Sequence, residues 1–424
     1  MLFLFVALFF LNACSYFDEE EIKLPGKREA VFEKKSQKLI KSKKSVFLPK
    51  PIDLKNWPLH NHNVSNNLTH FLSNEKLKIK WEKEASYSGS KSDYFVAKPI
   101  IYKNRIYSVL ANSVISVKDV ISGKTIWEKK LSEESDEDIF FTGGVGINDE
   151  ALFVSSGIGN LYSINLNTRE INWKKKFSSP VSAPPLIFSN KVFVVTDDNQ
   201  TIALEKSSGQ EIWSHSGSLE NVSIIGGVSP SLKDNVLYVT YTSGEIFALN
   251  SESGSILWFE NIALGTIATR NLIFDIQSSP VIHRDKLLVS SYINKFLAMS
   301  LTDGEKIWEI ELSTINPIIT AGDYIYLLDT ENKLHCIDLT DGTILWTVQL
   351  KIQNKKKSLR WVGPLLTSNQ IIIASSEGVI LSISPFNGKI LGQIDTDHEF
   401  ITNPILSDKS IFFTTNKGTL LALE

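Results

Sequence analysis

The stretch TDGEKIWEI, residues 302–310, places a glycine four residues ahead of a tryptophan. The same spacing recurs in ISGKTIWEK (121–129), SSGQEIWSH (207–215), ESGSILWFE (252–260) and TDGTILWTV (340–348). A turn residue followed by a β-branched and aromatic run is typical of a hairpin that leads into a strand. Glycine suits the turn because it adopts a positive φ without a steric penalty. We therefore predict one structural unit that is repeated along the chain.

The repeat extends over most of the sequence. Seven tryptophans follow one another at intervals of 38 to 50 residues: Trp81, Trp127, Trp173, Trp213, Trp258, Trp308 and Trp346. A proline or glycine opens each of eight units: Pro99, Gly144, Pro184, Pro230, Pro280, Pro317, Pro364 and Pro404. A period in the forties with strand-like patterning predicts a β-propeller. We predict an all-β fold, a single eight-bladed β-propeller of four-stranded antiparallel blades over residues 77–424.

The tryptophans are interpreted as contacts between neighbouring blades. Burying about 200 Å² of ring at ~25 cal/mol/Å² contributes at most roughly 5 kcal/mol each. The seventh unit carries Ile390-Leu391-Gly392 where others carry the tryptophan, so its junction should pack less well. The eighth unit, which begins at Pro404, lacks the outer strand, and LKIKWEKE (77–84) resembles that missing strand. We predict that this N-terminal strand completes the last blade and closes the ring.

The N-terminus predicts export and lipidation. The apolar run in MLFLFVALFFLNAC (1–14) is too short to span a bilayer and suits a signal peptide over residues 1–13. LNAC resembles a bacterial lipobox, which makes Cys14 the lipidated first residue of the mature chain. Ser15 after the cysteine then implies sorting to the outer membrane. The alternative is an ordinary signal peptide with an incidental cysteine.

Residues 14–76 are predicted to be a lipidated N-terminus and a flexible linker. Nine lysines and Arg28 lie between Ile22 and Lys50, a charge run typical of a solvated segment. The alternative is a basic arm that contacts anionic lipid headgroups.

Composition and motifs offer little chemistry. A formal charge of −3 argues against a nucleic-acid partner, and two cysteines exclude a disulfide framework. His60 and His62 supply too few ligands for a zinc site, and Cys336 is interpreted as a small buried residue. The sequence carries no nucleophile elbow and no phosphate-binding loop. We predict no catalytic residue, no metal and no cofactor.

The repeated S/D-G-x-x-I/L-W motif resembles the tryptophan-docking repeat of pyrroloquinoline quinone (PQQ) enzymes and of the BamB family. BamB proteins are lipoproteins of the outer-membrane β-barrel assembly (Bam) machinery, and the resemblance, which covers Trp57 to Glu424, is to alphaproteobacterial members. It implies a non-catalytic scaffold on the periplasmic side of the outer membrane, a monomer within a hetero-complex, that binds the periplasmic domains of BamA. Two alternatives stay open: a PQQ-dependent dehydrogenase-like enzyme, and a propeller lipoprotein of another envelope complex.

The resemblance also implies where BamA binds. One family motif falls on NVSIIGGVSPSL (221–232), in which Val222 and Ile224 replace leucines and Ile225 replaces an arginine. The other falls on Asp275 and Gln277, the second replacing an aspartate. Both stretches precede the prolines of adjacent units, so we expect them to lie side by side on one rim. The alternative for Val222 and Ile224 is strand core.

Overall fold

The fold is seen in a computed structural model. It describes residues 45–84, 97–110, 113–131, 142–219, 227–263, 276, 278–292, 294–352 and 359–424. Within these ranges the regular structure is β-strand. They contain no helix that is long and apolar enough to cross a bilayer.

Thirty-two strands make up the described structure. The strands of the first half are β1 Ile79–Lys83, β2 Ile100–Tyr102, β3 Arg105–Val109, β4 Val114–Asp119, β5 Thr125–Lys130, β6 Thr142–Ile147, β7 Ala151–Ser156, β8 Asn160–Asn165, β9 Ile171–Lys176, β10 Leu186–Phe188, β11 Lys191–Val195, β12 Gln200–Glu205, β13 Glu211–Ser216, β14 Ser231–Lys233, β15 Val236–Thr240 and β16 Glu245–Asn250. Those of the second half are β17 Ile256–Asn261, β18 Val281–His283, β19 Lys286–Ser291, β20 Lys295–Ser300, β21 Lys306–Ile310, β22 Ile319–Ala321, β23 Tyr324–Leu328, β24 Lys333–Asp338, β25 Ile344–Gln349, β26 Trp361–Thr367, β27 Gln370–Ser375, β28 Val379–Ile383, β29 Ile390–Asp395, β30 Ile405–Ser407, β31 Ser410–Thr414 and β32 Leu420–Leu423.

The strands form eight four-stranded antiparallel sheets, which confirms the predicted eight-bladed propeller. Blades 1 to 7 each use four consecutive strands, from β2–β5 for blade 1 to β26–β29 for blade 7. Within blade 3, β11 and the middle of β12 are buried, whereas the outer strand β13 alternates between exposed and buried residues. Apolar runs therefore form the inner strands, and mixed runs form the outer edge.

Tight turns join the first two strands of several blades. Lys103 and Asn104 have φ values of 47° and 59°, and Asp234 and Asn235 have values of 50° and 62°. Two successive positive φ angles define the turn that matches the twist of a two-residue hairpin. Asparagine and aspartate tolerate this region better than most residues, so these turns follow from local sequence.

The eighth blade closes the ring. Its sheet has the order β1-β32-β31-β30, with β1 antiparallel to β32 and Trp81 opposite Ala422. The prediction that residues 77–84 supply the missing outer strand is confirmed.

Seven blade junctions use the repeated tryptophans. The ring lies over the glycine turn of the next blade in six of them: Trp81 on Gly123, Trp173 on Gly209, Trp213 on Gly254, Trp258 on Gly304, Trp308 on Gly342 and Trp346 on Gly388. A methyl group at Gly254 would lie 2.6 Å from the Trp213 ring, and its φ is 74°, so only glycine fits this turn. In five junctions the indole Nε1 donates 2.9–3.1 Å to a carbonyl of the next blade: Lys206, Ser251, Leu301, Leu339 and Pro385. In the seventh, the Arg169 guanidinium replaces the glycine, 5.6 Å from the ring centroid of Trp127.

The junction from blade 7 to blade 8 lacks this contact. Gly392 pairs with Ser382 at the position where Trp346 pairs with Cys336 in blade 6. A Cβ placed at Gly392 would meet no atom within 4 Å. The expectation of weaker packing at this junction is confirmed.

Residues 52–73, which we call the axial belt, differ from the predicted linker. The first strand of each blade lies nearest the propeller axis, and backbone hydrogen bonds join the belt to the first strands, or the turns that follow them, of seven blades. The pairs are Leu54–Asp408, Trp57–Ile101, Pro58–Ile147, Val64–Leu232, Ser65–Ile282, Leu68–Thr320 and Phe71–Leu366. Leu59 packs into the apolar core of blade 3 with Leu186 and Ile187. The described part of the predicted linker, residues 45–76, therefore belongs to the same compact unit as the propeller.

The belt makes one full circuit and meets itself. The Ile52 amide donates to the His70 carbonyl, and the Leu72 amide donates to the Ile52 carbonyl, both at 2.8 Å. Trp57 and Phe71 are fully buried. The sequence analysis missed this segment because each belt residue contacts a different blade, so its apolar residues follow no helical or strand period.

Candidate functional site

The residues predicted to bind the partner fall in two predicted loops, which precede the first strands of blades 4 and 5 in the sequence. Val222, Ile224, Ile225, Asp275 and Gln277 lie outside the described residues, as does Cys14. The structure does describe the chain on both sides of each loop. Those flanking residues show which contacts hold the ends of the loops on the propeller.

The first loop leaves blade 3 from a fixed point. Ser218 donates to the Glu245 carboxylate from its amide and its hydroxyl, both at 2.7 Å. Ser243 adds a third hydrogen bond at 2.7 Å. Burial raises the pKa of the Glu245 carboxyl, but these hydrogen bonds outweigh burial and hold the pKa below its ordinary value. A charged carboxylate of blade 4 therefore anchors the chain where the loop begins.

Asn199 ties the same point to the turns of blades 3 and 4. Its Nδ2 donates to the Ser218 carbonyl at 2.7 Å, and its Oδ1 accepts from the Thr242 amide at 3.2 Å. One buried amide side chain thus joins the loop start to two neighbouring blades.

The two loops end beside each other. Asn66 of the axial belt is buried, and its Nδ2 lies 3.1 Å from the Ser229 carbonyl, 3.0 Å from that of Pro230 and 3.2 Å from that of Pro280. Pro230 follows the first loop and Pro280 follows the second. The belt therefore holds the two loop ends together.

The second loop is fixed at its own ends. The Ile262 amide donates to the Gly244 carbonyl at 3.1 Å, and the Ile262 carbonyl accepts from Lys295 Nζ at 2.8 Å. Ile276, which lies between Asp275 and Gln277 in the sequence, is buried. Ser278 Oγ donates to the Asn316 carbonyl at 3.0 Å. We call the part of blades 4 and 5 where Asn66, Ile262 and Ser278 make these contacts the blade 4–5 rim.

A second polar cluster lies at the belt. Lys98 is 5% exposed. Its Nζ lies 5.1 Å from the Trp57 ring centroid and 3.5 Å from Asn61 Oδ1. Burial lowers the pKa of Lys98 to about 7. Burial, together with the Lys98 charge, lowers the pKa of His60 to about 3 and that of His62 to about 4. At pH 7 the two imidazoles are therefore neutral, and the Lys98 amine is near the midpoint of its titration.

This cluster does not fit a calcium–quinone site. Calcium takes oxygen ligands, chiefly carboxylates and carbonyls. The side chains here present a lysine amine and two imidazoles, and the belt itself occupies the surroundings of the first strands. No group of three or more His, Cys, Asp or Glu that could hold a metal occurs in the described part of the chain.

Cys336 is a core residue. Its side chain is fully buried in β24, and burial raises the pKa of the thiol to about 12. The interpretation of Cys336 as a small buried residue is confirmed.

Sequence reasoning missed Asn66 and Lys98. Neither recurs in the repeat, so the unit-by-unit comparison that finds the tryptophans cannot find them. One signal was present: Asn66 lies in the asparagine-rich NHNVSNNLTH (61–70), and its φ of 53° belongs to a conformation that asparagine tolerates.

Eight four-stranded blades, joined by tryptophan contacts and closed by an N-terminal strand, define a tryptophan-docked β-propeller. The family described as "Outer membrane protein assembly factor BamB" matches residues 111–348, more than half of the chain. The chain belongs to this family.

Individual relatives are distant. The outer membrane protein assembly factor BamB of Yersinia pestis is 21% identical over 342 residues, which cover 79% of this chain and 86% of the relative. The crystal structure of BamB from Moraxella catarrhalis has a TM-score of 0.68 at 20% identity and covers 82% of this chain and 100% of that chain. Quinohemoprotein alcohol dehydrogenase from Comamonas testosteroni also has a TM-score of 0.68, at 12% identity over 87% of this chain and 80% of that chain. The fold therefore occurs in both an assembly-factor family and an enzyme, and does not separate them.

Proposed function

We propose that this protein is a non-catalytic scaffold of outer-membrane protein assembly, which binds the periplasmic domains of BamA and assists the folding and insertion of β-barrel proteins. The family match over more than half of the chain carries the proposal. In this proposal the protein is lipid-anchored through Cys14 in the outer membrane and faces the periplasm.

The blade 4–5 rim is the proposed BamA site. Loops carry a propeller's free chemistry, because the strands are committed to packing. The described contacts of Asn66 and Glu245 hold the loop ends in place, which lowers the entropy that binding costs. Val222, Ile224 and Ile225 offer apolar side chains on one loop, and Asp275 and Gln277 offer polar ones on the other. Apolar anchors with a few polar contacts suit a protein partner.

Two substitutions test this site. Asp275→Arg and Ile225→Glu should each reduce co-purification of BamA from detergent-solubilised membranes by tenfold or more, with an unchanged melting temperature. Asp397→Arg, a charge reversal of an exposed carboxylate between blades 7 and 8, is the matched control and should co-purify normally. Normal binding by both rim variants would place the interface elsewhere. Unfolding of both would assign these residues to the core.

The lipid anchor is tested separately. Cys14→Ala should leave the propeller folded and release it from membranes, since stable anchoring needs acyl chains that the variant cannot carry. The measurement is the soluble fraction after a high-salt wash, with the wild-type chain as control. Retention on the membrane would refute lipid anchoring and make a protein partner the main tether.

The two alternative functions predict different binding partners. A PQQ-dependent dehydrogenase-like enzyme would bind the quinone and calcium tightly, and the Lys98 cluster offers calcium no carboxylate. A propeller of another envelope complex would co-purify with that complex in place of BamA.

A further inference from the structure

The junction between blades 7 and 8 is the one place in the ring where the repeated tryptophan is missing. Gly392 occupies the tryptophan position, and Ser382 lies opposite it, as Cys336 lies opposite Trp346. The other half of the contact is missing as well. The outer strand of blade 8 is β1, which comes from the opposite end of the chain, so no hairpin turn joins it to β32 in the described structure.

A groove of about 550 Å³ opens at this position. Its lining includes Leu77, Gln370, Ser382, Leu391, Gln393 and Ile394. We call it the seam groove. Its volume is within the range of sites that hold a ligand-sized group.

The walls of the seam groove are well defined. Gln370 Nε2 donates to the carbonyls of Asn74, at 3.0 Å, and Glu75, at 3.3 Å, and so fixes the chain that leads into β1. On the other wall, Leu391 is 59% exposed, and Ile394 lines the groove with it. These two side chains give that wall an apolar surface.

The other junctions of the propeller show which side chain fills such an interface. At the other seven junctions an indole covers the neighbouring turn, and in five of them its nitrogen donates to a carbonyl. The backbone register of β28 and β29 at Gly392 is that of the other blades, including the irregularity after the paired residue. The seam groove therefore keeps the strand register of these interfaces but lacks both the aromatic ring and the turn that the ring covers.

Strand β29 can also present an extended segment. It is the outer strand of blade 7 and pairs only with β28 among the described strands. Its residues are almost all exposed, whereas the outer strands β17 and β21 each bury a tryptophan. An edge strand offers free backbone N–H and C=O groups to another chain.

We propose that the seam groove binds a tryptophan side chain of another polypeptide, carried by an extended segment that pairs with the edge of β29. The incoming ring occupies the space beside Gly392 that corresponds to the tryptophan position of the other seven junctions, without the turn that those rings cover. This inference goes beyond the proposed function and does not depend on which protein binds the blade 4–5 rim.

The test uses the full chain and two labelled peptides. Each peptide alternates polar and apolar residues, and the two differ only in a central Trp or Ala. Fluorescence anisotropy should show binding of the Trp peptide and at least roughly tenfold weaker binding of the Ala peptide, since a buried ring contributes more than 1.4 kcal/mol. Equal binding of the two peptides, or no binding of either, would overturn the proposal.

Substitutions at Gly392 then locate the site. Gly392→Trp fills the groove from within and should abolish peptide binding while the melting temperature stays equal or rises. Gly392→Ala leaves the groove open and should bind as the unmodified chain does, which makes it the matched control. Undiminished binding by a folded Gly392→Trp variant would overturn the proposal. Self-association of the unmodified chain that Gly392→Trp abolishes would assign the groove to a second copy and would also overturn it.

Discussion

At the scale of single residues, the glycine turns and the tryptophans form one contact. Gly254 sits beneath the Trp213 ring with a φ of 74°, and Gly392 faces open space with no positive φ. The same residue type is thus required at one position and free at the other. The difference lies in the neighbouring blade and not in the local sequence.

Gly254→Ala should destabilise the protein by about 2 kcal/mol or more, because alanine is strained at positive φ and its methyl group clashes with the Trp213 ring. Gly392→Ala should change stability by less than about 0.5 kcal/mol, as an open surface site does. The measurement is the midpoint of urea unfolding for the two variants. Equal midpoints would show that the ring does not press on the turn.

At the scale of elements, the axial belt replaces a partner that each first strand lacks. The inner edge of a first strand carries free backbone groups, and a ring of eight such edges needs a chain that visits each of them. The belt does this for seven blades with backbone hydrogen bonds of 2.7–3.1 Å, and it contacts blade 3 through the side chain of Leu59. It also buries Lys98 against Trp57, which costs stability whenever the amine is charged.

Lys98→Met should raise the melting temperature at pH 7 by a few degrees, since a thioether of similar length needs no hydration. Burial lowers the Lys98 pKa from 10.5 to about 7, so the unfolded chain binds a proton between these values that the folded chain does not. Stability is therefore lost as pH falls from 10.5 to about 7 and stays constant below. Between pH 7 and pH 10.5 the melting temperature should change less in Lys98→Met than in the exposed control Lys389→Met. The same pH dependence in both variants would contradict a lowered pKa of Lys98.

At the scale of the whole molecule, two segments from the N-terminal side close the ring. Strand β1 completes the last blade at the outer edge, and the belt joins the first strands at the axis. Strand β1 closes the ring by pairing with β32, and the belt contacts all eight blades. Their loss should therefore affect the cooperativity of unfolding as well as its midpoint.

A chain that starts at Leu77 keeps β1 and loses the belt. It should melt more than about 10 °C below a chain that starts at Ser45, or fail to fold, because it exposes the apolar surface that Trp57, Leu68 and Phe71 cover. Scanning calorimetry of the two chains checks this. Equal melting temperatures would show that the belt is an accessory to an already stable ring.

The sequence by itself determined the blades. The glycine turn and the strand that carries the tryptophan lie within ten residues, so turn chemistry, spacing and the proline or glycine that opens each unit were enough to predict eight units. The closing strand could also be predicted from the sequence, because residues 77–84 repeat the outer-strand pattern.

Only the tertiary structure decided the rest. Asn66 and Trp57 lie a few residues apart and contact different blades, so no period in the belt could reveal that it is core. Asn66 also brings Pro230 and Pro280 together, 50 residues apart in sequence. The seam groove exists because two chain segments meet in blade 8 without the hairpin that joins the outer strands elsewhere. Local pattern determines a repeated unit, whereas features that occur once depend on contacts between residues far apart in the chain.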